Sequence, residues 1–147
     1  MILAHSIIGI TLGNYFGYFG FILLGSILPD IDHLFVILKN RIFSWRKIID
    51  SMRFENRYKI SYKTKYVHSL FGAVIISTPV LFFDFTGGLY FFTGYSLHLI
   101  IDWVDIDNKQ YLYPFKITFQ GVLPISSKTE IVFTLALFVL MVLSFYR

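Results

Sequence analysis

The chain has 147 residues, of which 56% are hydrophobic and only 15% are charged, whereas soluble domains carry roughly 25% charged residues. This shortage of charge and a mean hydropathy of +0.66 indicate an integral membrane protein whose first partner is the lipid bilayer. Because no linker or repeat divides the sequence, we expect a single domain over residues 1–147. The chain contains no cysteine, so disulfides and cysteine-ligated zinc are excluded and any metal must have nitrogen and oxygen ligands.

The net charge of +4 is concentrated in one segment, residues 39–66. That segment holds nine of the 13 Lys and Arg residues but only two acidic residues, Asp50 and Glu55. It lies between two apolar segments and not on a folded polar surface, so no specific nucleic-acid partner is predicted. The positive-inside rule predicts a cytoplasmic loop that is attracted to anionic lipid headgroups.

The first apolar segment, Ile2 to Leu28, allows two structures. Gly13-Asn14 is a turn signal near its middle. The segment is either one Gly-rich span or a re-entrant hairpin of two shorter helices, since about 20 residues are needed to cross a bilayer. We favour the hairpin, which is the structure that lets His5 reach the other histidines. Gly17 and Gly20 are expected to permit close approach of neighbouring helices.

The remaining apolar segments predict further short helices. They are Asp30 to Lys39, Val67 to Phe83, Leu89 to Val104, and Ile131 to Tyr146, with Arg147 closing the last. Pro79 is expected to kink the second, and Asp84–Gly88 reads as a turn before the third. Ser127 and Glu130 have capping-box spacing ahead of the fourth. The predicted fold class is therefore all-α, a multi-pass transmembrane bundle of about four to five short helices with an N-terminal helical hairpin.

The four histidines each lie in or beside an apolar segment: His5, His33, His68 and His98. Ionisable groups in or near lipid usually face a bundle interior, pair with one another and mark function. His98 and Asp102 are spaced i, i+4 and so share one helix face, and Asp105 at i+7 continues that stripe. Asp30, Asp32 and His33 form a second group after Pro29, which is expected to break the helix and turn both carboxylates away from its surface.

These groups are expected to meet in one layer of the membrane. If residues 39–66 are cytoplasmic, the second group, His68 and the end of the third helix all approach the cytoplasmic face. The metal ligands predicted in this way are His5, Asp30, Asp32, His33, His68, His98 and Asp102. This donor set suits one or two divalent ions, zinc first and manganese as the alternative. Two ions about 4 Å apart would suit displacement at a phosphoester.

Five short motifs in this order resemble one known family. They are His5 near the start, Gly25 to His33 (GSILPDIDH), His68-Ser69-Leu70, His98 to Asp102 (HLIID) and Leu112 to Phe115 (LYPF). This arrangement resembles the YdjM-like family of membrane-bound proteins, described as metal-dependent hydrolases of the inner membrane, and it covers the chain from His5 to about Phe115. The family usually has Thr where this chain has Val67, and Thr-x-x-Gly where this chain has Val104 to Asp107.

The leading hypothesis is a membrane-bound hydrolase that acts through a metal-activated water on a phosphoester or lipid-like substrate. Asp32 or Asp105 would be the catalytic proton acceptor. One alternative is a non-catalytic membrane scaffold or regulator with a structural His/Asp metal site, and another is an ion or proton pathway. Taken singly, some of these residues could have a purely structural role: Asp30 and Asp32 as helix N-caps, and His98 and Asp102 as a hydrogen-bonded pair without metal.

Overall fold

The N-terminal segment is a helical hairpin in the computed structural model, which describes residues 1–125 and 127–146. Helices α1 (Ile2–Phe16) and α2 (Phe19–Ile27) pack along one another. The hairpin was predicted, but the predicted position of its turn was wrong. Gly13 and Asn14 lie inside α1, and the chain reverses at Gly17, whose φ of 75° is in the left-handed region that glycine adopts without strain.

A continuous helical stretch, Phe19–Lys39, runs from α2 through a 3₁₀ turn (Leu28–Asp30) into α3 (Ile31–Lys39). Pro29 lies at the start of the 3₁₀ turn. The expected break at this proline was wrong: the helix tightens from α to 3₁₀ geometry and continues. Asp30 is the N-cap residue of α3, but its side chain makes no capping hydrogen bond, so capping does not explain this acid.

The basic segment contains two short helices, α4 (Trp45–Arg53) and α5 (Glu55–Tyr58). Apolar residues recur in α4 at helical spacing: Trp45, Ile48, Ile49 and Met52. Basic and other polar residues occupy the opposite side, so α4 is amphipathic. Its low overall hydropathy is the reason that the segment reads as a loop in the sequence.

The next two helices form a second antiparallel pair, α6 (Leu70–Phe83) and α7 (Phe85–Asp102). Pro79 lies inside α6. Asp84 separates the two helices and caps α7, since its carboxylate accepts a hydrogen bond from the Gly87 N–H at 2.9 Å. The turn predicted over Asp84–Gly88 is therefore a single residue.

Helices α2 and α7 approach each other backbone to backbone. A Cβ atom at Gly25 would lie 2.1 Å from the carbonyl oxygen of Phe91, and one at Gly94 would lie 2.2 Å from the carbonyl oxygen of Ile22. Any larger residue at either position would push the helices apart. This contact sets the distance between the end of α2 and the polar half of α7.

The glycines that the sequence singled out for close packing were the wrong ones. A Cβ atom at Gly17 or at Gly20 would meet no atom of the described chain within 4 Å. Gly17 is needed for the turn, and Gly20 faces open space. The pattern of glycines in α2 therefore does not by itself reveal which one faces α7.

Residues 103–125 connect α7 to the last helix as irregular chain. Two isolated β-bridges hold this connection together, one between Asp105 and Leu123 and one between Lys109 and Phe119. The Leu70 N–H donates to the Tyr111 carbonyl oxygen at 2.9 Å, which fastens the connection to the start of α6. The connection thereby lies beside the segment that carries His68.

The last helix, α8 (Lys128–Phe145), begins as predicted. The Ser127 hydroxyl oxygen accepts a hydrogen bond from the Glu130 N–H at 3.2 Å. The helix packs on α1, yet none of its side chains is buried against the rest of the described chain. Arg147, predicted to close it, lies outside the described residues.

Two helical stretches, Phe19–Lys39 and Lys128–Phe145, are long and apolar enough to cross a membrane, each with a mean hydropathy of 1.9. Ile2–Phe16 and Leu70–Phe83 are also apolar but shorter. The regular secondary structure of residues 1–125 and 127–146 is thus helical, as predicted, with two candidate spans.

Candidate metal centre

Three side chains that are far apart in the sequence converge at the end of α7. His98 and Asp102 lie one turn apart on α7, and His68 lies just ahead of α6. His98 Nε2 is 3.3 Å from His68 Nε2. Asp102 Oδ2 is 3.3 Å from His68 Nε2 and 3.5 Å from His98 Nε2. All three residues are at most 1% exposed.

The hydrogen bonds on the far side of each ring fix where its proton lies. His98 Nδ1 is 2.8 Å from the Ser26 carbonyl oxygen, which can only accept, so Nδ1 carries the proton. His68 Nδ1 is 2.9 Å from Asp32 Oδ2, and an ionised carboxylate likewise only accepts. In the neutral imidazoles both Nε2 atoms therefore bear lone pairs, and both face Asp102.

This arrangement of three lone-pair donors fits a tetrahedral ion. Zinc ligands lie about 2.0–2.1 Å from the metal, so two tetrahedral ligands are about 3.3–3.4 Å apart. The three ligand-to-ligand distances among His68, His98 and Asp102 are 3.3, 3.3 and 3.5 Å. Three neutral or anionic acceptors this close repel one another, and a cation among them would offset that repulsion, as the Lys63 ammonium group 3.2 Å from Asp102 Oδ2 does in part. The residues therefore fit a divalent metal.

Further predicted ligands surround these three. The His5 ring stacks on the His98 ring with a centroid distance of 3.8 Å, and His5 Nε2 is 3.1 Å from Asp102 Oδ1. Two more groups have donor atoms within 4.8 Å of one another: His5, Asp30 and His98, and Asp30, His33 and His68. Asp30 belongs to both, so the predicted residues form one connected cluster.

Asp32 lies behind His68. Its Oδ2 atom accepts hydrogen bonds from the Thr64 N–H at 2.8 Å, from the Thr64 hydroxyl at 3.0 Å and from His68 Nδ1. Its Oδ1 atom is 3.1 Å from His33 Nδ1. Asp32 is therefore placed to orient two imidazoles.

Asp105 is not on the helical stripe that the sequence predicted. Helix α7 ends at Asp102, and Asp105 lies in the connection after it. Its Oδ2 atom forms a very short ion pair with Lys63 Nζ. Lys63 also lies 3.2 Å from Asp102 Oδ2 and 3.8 Å from Asp107 Oδ2. Burial disfavours the charged amine, but these three carboxylates outweigh it and raise the Lys63 pKa above its usual range.

Several buried polar atoms of the cluster have no hydrogen-bond partner among the described residues. They are both ring nitrogens of His5, Asp30 Oδ2, Asp32 Oδ1, His33 Nδ1, Asp102 Oδ2 and Asp105 Oδ1. Four of these atoms do lie 3.1–3.2 Å from an ion-pair partner, but without hydrogen-bond geometry: His5 Nε2, Asp32 Oδ1, His33 Nδ1 and Asp102 Oδ2. Buried polar groups are nearly always paired, and each exception needs an explanation such as an ion or water. Such atoms on His5, Asp30, His33 and Asp102, which belong to the groups that could hold a metal ion, agree with the fit of a cation.

Comparison with known proteins decides the family. The sequence profile of the YdjM inner membrane protein family matches residues 2–147. The chain belongs to this family. No curated protein and no solved structure matches it. The resemblance drawn from the five motifs is thus confirmed, and it extends beyond Phe115 through α8.

The departures from the usual YdjM pattern have a structural counterpart. The acids Asp105 and Asp107 both face Lys63, so the extra negative charge is balanced by a buried ammonium group. The sequence analysis included Lys63 only as part of the basic segment 39–66 that attracts headgroups, and it did not single out Thr64 or Ser26. Backbone and hydroxyl partners of this kind follow no spacing rule, so only the fold could reveal them.

Proposed function

We propose that this YdjM family member is a membrane-embedded, metal-dependent hydrolase whose metal ligands are His68, His98 and Asp102. The observation that carries the proposal is the convergence of two imidazole lone pairs and a carboxylate oxygen at 3.3–3.5 Å in a buried site. Zinc is favoured because these separations match tetrahedral ligands, and manganese is the alternative.

The protein's own residues would hold and orient the reacting groups. Asp32 and the Ser26 carbonyl fix the tautomers of His68 and His98. A divalent ion bound there supplies activation of water at neutral pH. Of the two predicted proton acceptors, Asp105 keeps a buried Oδ1 atom without a hydrogen-bond partner among the described residues, whereas Asp32 Oδ1 lies 3.1 Å from His33 Nδ1. Asp105 is therefore the better placed of the two to take a proton.

A second ion would be held by the remaining predicted ligands. Asp30 and His33 approach each other with Oδ1 and Nδ1 at 3.4 Å, and Asp30 shares a group with His5 and His98. A second cation beside the first would complete the pair of ions that the donor set suggests. One or two ions per chain are therefore proposed.

The membrane arrangement follows from the apolar helices. We propose a multi-pass bundle in the inner membrane, spanned by the candidate spans together with the shorter apolar helices, with residues 39–66 on the cytoplasmic side. The amphipathic helix α4 supports this arrangement, since Trp45 and Ile49 are exposed on its apolar side and Arg46 and Lys47 on its polar side. Such a helix lies in the membrane interface and contacts anionic headgroups.

A phosphoester or lipid-like substrate is proposed for this centre. His68 follows the basic segment directly, so the cluster would lie at the depth of the lipid headgroups if that segment lines the cytoplasmic face. Metal-assisted hydrolysis of an anionic ester is the reaction class that suits a His/Asp donor set there.

A structural metal site in a non-catalytic scaffold is the second candidate. The observation in its favour is the near-complete burial of the ligands, which come from different parts of the chain and would be tied together by an ion. A structural site has a closed ligand shell, whereas a hydrolase needs an open position. The scaffold and the hydrolase can be distinguished by measuring two properties with and without metal: the thermal stability of the protein and its hydrolytic activity.

The test uses full-length protein purified in detergent. Bound metal would be measured by plasma mass spectrometry, and release of phosphate from a phosphomonoester lipid would be followed with and without a chelator. We expect metal in the wild type, its loss in His98→Ala, and phosphate release that requires metal. Asp50→Asn, which removes an exposed carboxylate in α4, is the control and should behave as wild type.

Two results would count against the proposal. Equal metal content in wild type and His98→Ala would remove His98 from the ligand set. A metal-loaded wild type that releases no phosphate, but that melts at a much lower temperature after chelation, would favour the scaffold.

A further inference from the structure

A pocket of about 350 Å³ opens beside His68. Its volume is in the range of small-ligand sites. Three of its lining residues are lysines: Lys63, Lys65 and Lys109. Amide and hydroxyl side chains, among them Asn108 and Thr118, also line it. No Asp or Glu is among the described residues that line it. A pocket of this composition suits an anion.

The three lysines are not equally available to a ligand. Lys63 is held by the carboxylates of Asp102, Asp105 and Asp107. Lys65 is exposed, and its ammonium group lies over the rings of Tyr66 and Tyr113 without a carboxylate partner among the described residues. It is therefore free to bind an anion.

Lys109 is the less usual of the two remaining lysines. Only 2% of it is exposed, and its ammonium group donates to the Asp105 carbonyl oxygen at 2.5 Å. That bond uses one of three protons and leaves two for a ligand. Burial, with a contribution from the nearby Lys63, lowers the Lys109 pKa to about 8. A bound anion would offset both effects.

We propose that this pocket is a phosphate subsite in which Lys65 and Lys109 bind the phosphate group of the substrate beside His68. Ammonium groups bind phosphate oxygens through charge-assisted hydrogen bonds, the stronger class of such bonds. The subsite rests on the proposed function, because it assigns the group on which the metal centre acts. The phosphate would come from a phospholipid headgroup or from a soluble phosphate ester.

The test measures binding of inorganic phosphate to full-length protein in detergent by titration calorimetry. Lys65→Gln and Lys109→Gln each remove one proposed contact. Lys109→Arg keeps the charge, and Lys116→Gln removes the charge of an exposed lysine in the same connection as a matched control. Each protein is measured zinc-loaded and chelator-treated, and its metal content is determined separately.

We expect Lys65→Gln and Lys109→Gln to weaken phosphate binding by about tenfold or more, which is the usual loss of a hydrogen bond to a charged group. Lys109→Arg and Lys116→Gln should bind like wild type. If Lys109→Gln does not fold, Lys65→Gln decides. Equal affinity in wild type, Lys65→Gln and Lys109→Gln, or absence of phosphate binding by the wild type, would overturn the subsite.

The same measurements keep the subsite and the hydrolase apart. Lysine-dependent phosphate binding in a protein that holds no metal would support the subsite and remove the hydrolase. If all variants retain metal and bind phosphate equally well without the lysines, the subsite is removed and the hydrolase is supported. Phosphate binding in nanodiscs of phosphatidylcholine with and without phosphatidic acid distinguishes the source of the phosphate. If phosphatidic acid competes with inorganic phosphate, the source is a lipid headgroup, and if it does not compete, the source is a soluble ester.

Discussion

Asp32 is expected to control metal affinity through His68 without being a ligand of the first ion. In Asp32→Asn the amide oxygen must take the position of Oδ2, because the Thr64 N–H that points at this atom can only donate. His68 Nδ1 then keeps a hydrogen bond, now to a neutral acceptor. Charge-assisted bonds are roughly twice as strong as neutral ones, so the loss is about 1.4 kcal/mol, which is about tenfold in metal affinity.

Asp32→Ala removes the acceptor altogether. Loss of a group that orients a metal-bound histidine costs about 10–100-fold in affinity, so this variant should lie near the upper end of that range. Affinity would be measured by competition with a chelator on full-length protein, with Asp50→Asn as the control. Thermal unfolding of each variant shows whether it is folded.

A double-mutant cycle with His68→Ala makes the test specific. If Asp32 acts through His68, Asp32→Asn should change the residual metal affinity of His68→Ala very little. Equal effects of Asp32→Asn in both backgrounds, or wild-type affinity in Asp32→Asn and Asp32→Ala, would refute the role derived from the 2.9 Å contact.

Three other predictions follow from the packing, the pocket and the topology. Gly94→Ala should lower the free energy of unfolding by about 1–3 kcal/mol, because its Cβ would lie 2.2 Å from a backbone oxygen of α2. Gly20→Ala should leave the free energy of unfolding unchanged, and unfolding of both variants in mixed detergent measures the difference. The phosphate affinity of the wild type should fall above about pH 8, by up to tenfold per pH unit, because Lys109 without bound phosphate loses its proton there. The charged groups that face Lys109 are Lys63 and the carboxylates of Asp102, Asp105 and Asp107. Calorimetry should find no such fall above pH 8 in Lys109→Arg. Because the chain lacks cysteine, Lys47→Cys and Thr86→Cys can be labelled singly with an impermeant maleimide, and we expect labelling from the cytoplasmic and the opposite side respectively; labelling of both from one side would contradict the proposed topology.

The convergence of these His and Asp residues could be predicted because such residue types are costly in lipid. His98 and Asp102 had a definite spacing on a strongly apolar helix, and the structure brings both to His68. His5 was tied to the hairpin, and the hairpin is present. Composition and helical periodicity were sufficient for these features.

Features that depend on local geometry were harder to predict. Gly13-Asn14 carries a stronger turn signal than Gly17, yet a glycine inside α1 is tolerated because the neighbouring helix packs on it. Asp105 was placed on a helix that in fact ends at Asp102. Helix ends and tight backbone contacts depend on tertiary neighbours, which a single sequence does not display.

The network behind the ligands could not be predicted at all. Thr64 and the Ser26 carbonyl come from segments with no sequence relation to His68 and His98, and their roles follow from the contact between α2 and α7 and from the path of the chain before α6. Lys63 was predicted to attract anionic headgroups because it lies in a basic segment. Its three carboxylate partners become visible only in the folded chain.

X-ray absorption at the zinc edge of zinc-loaded, full-length protein tests the metal centre most directly. We expect the scattering of two imidazole rings from His68 and His98 and a carboxylate oxygen from Asp102, at about 2.0–2.1 Å from the ion. His98→Ala should remove one ring from the spectrum. A zinc environment without imidazole scattering, or one that is unchanged in His98→Ala, would contradict a metal centre built from these residues.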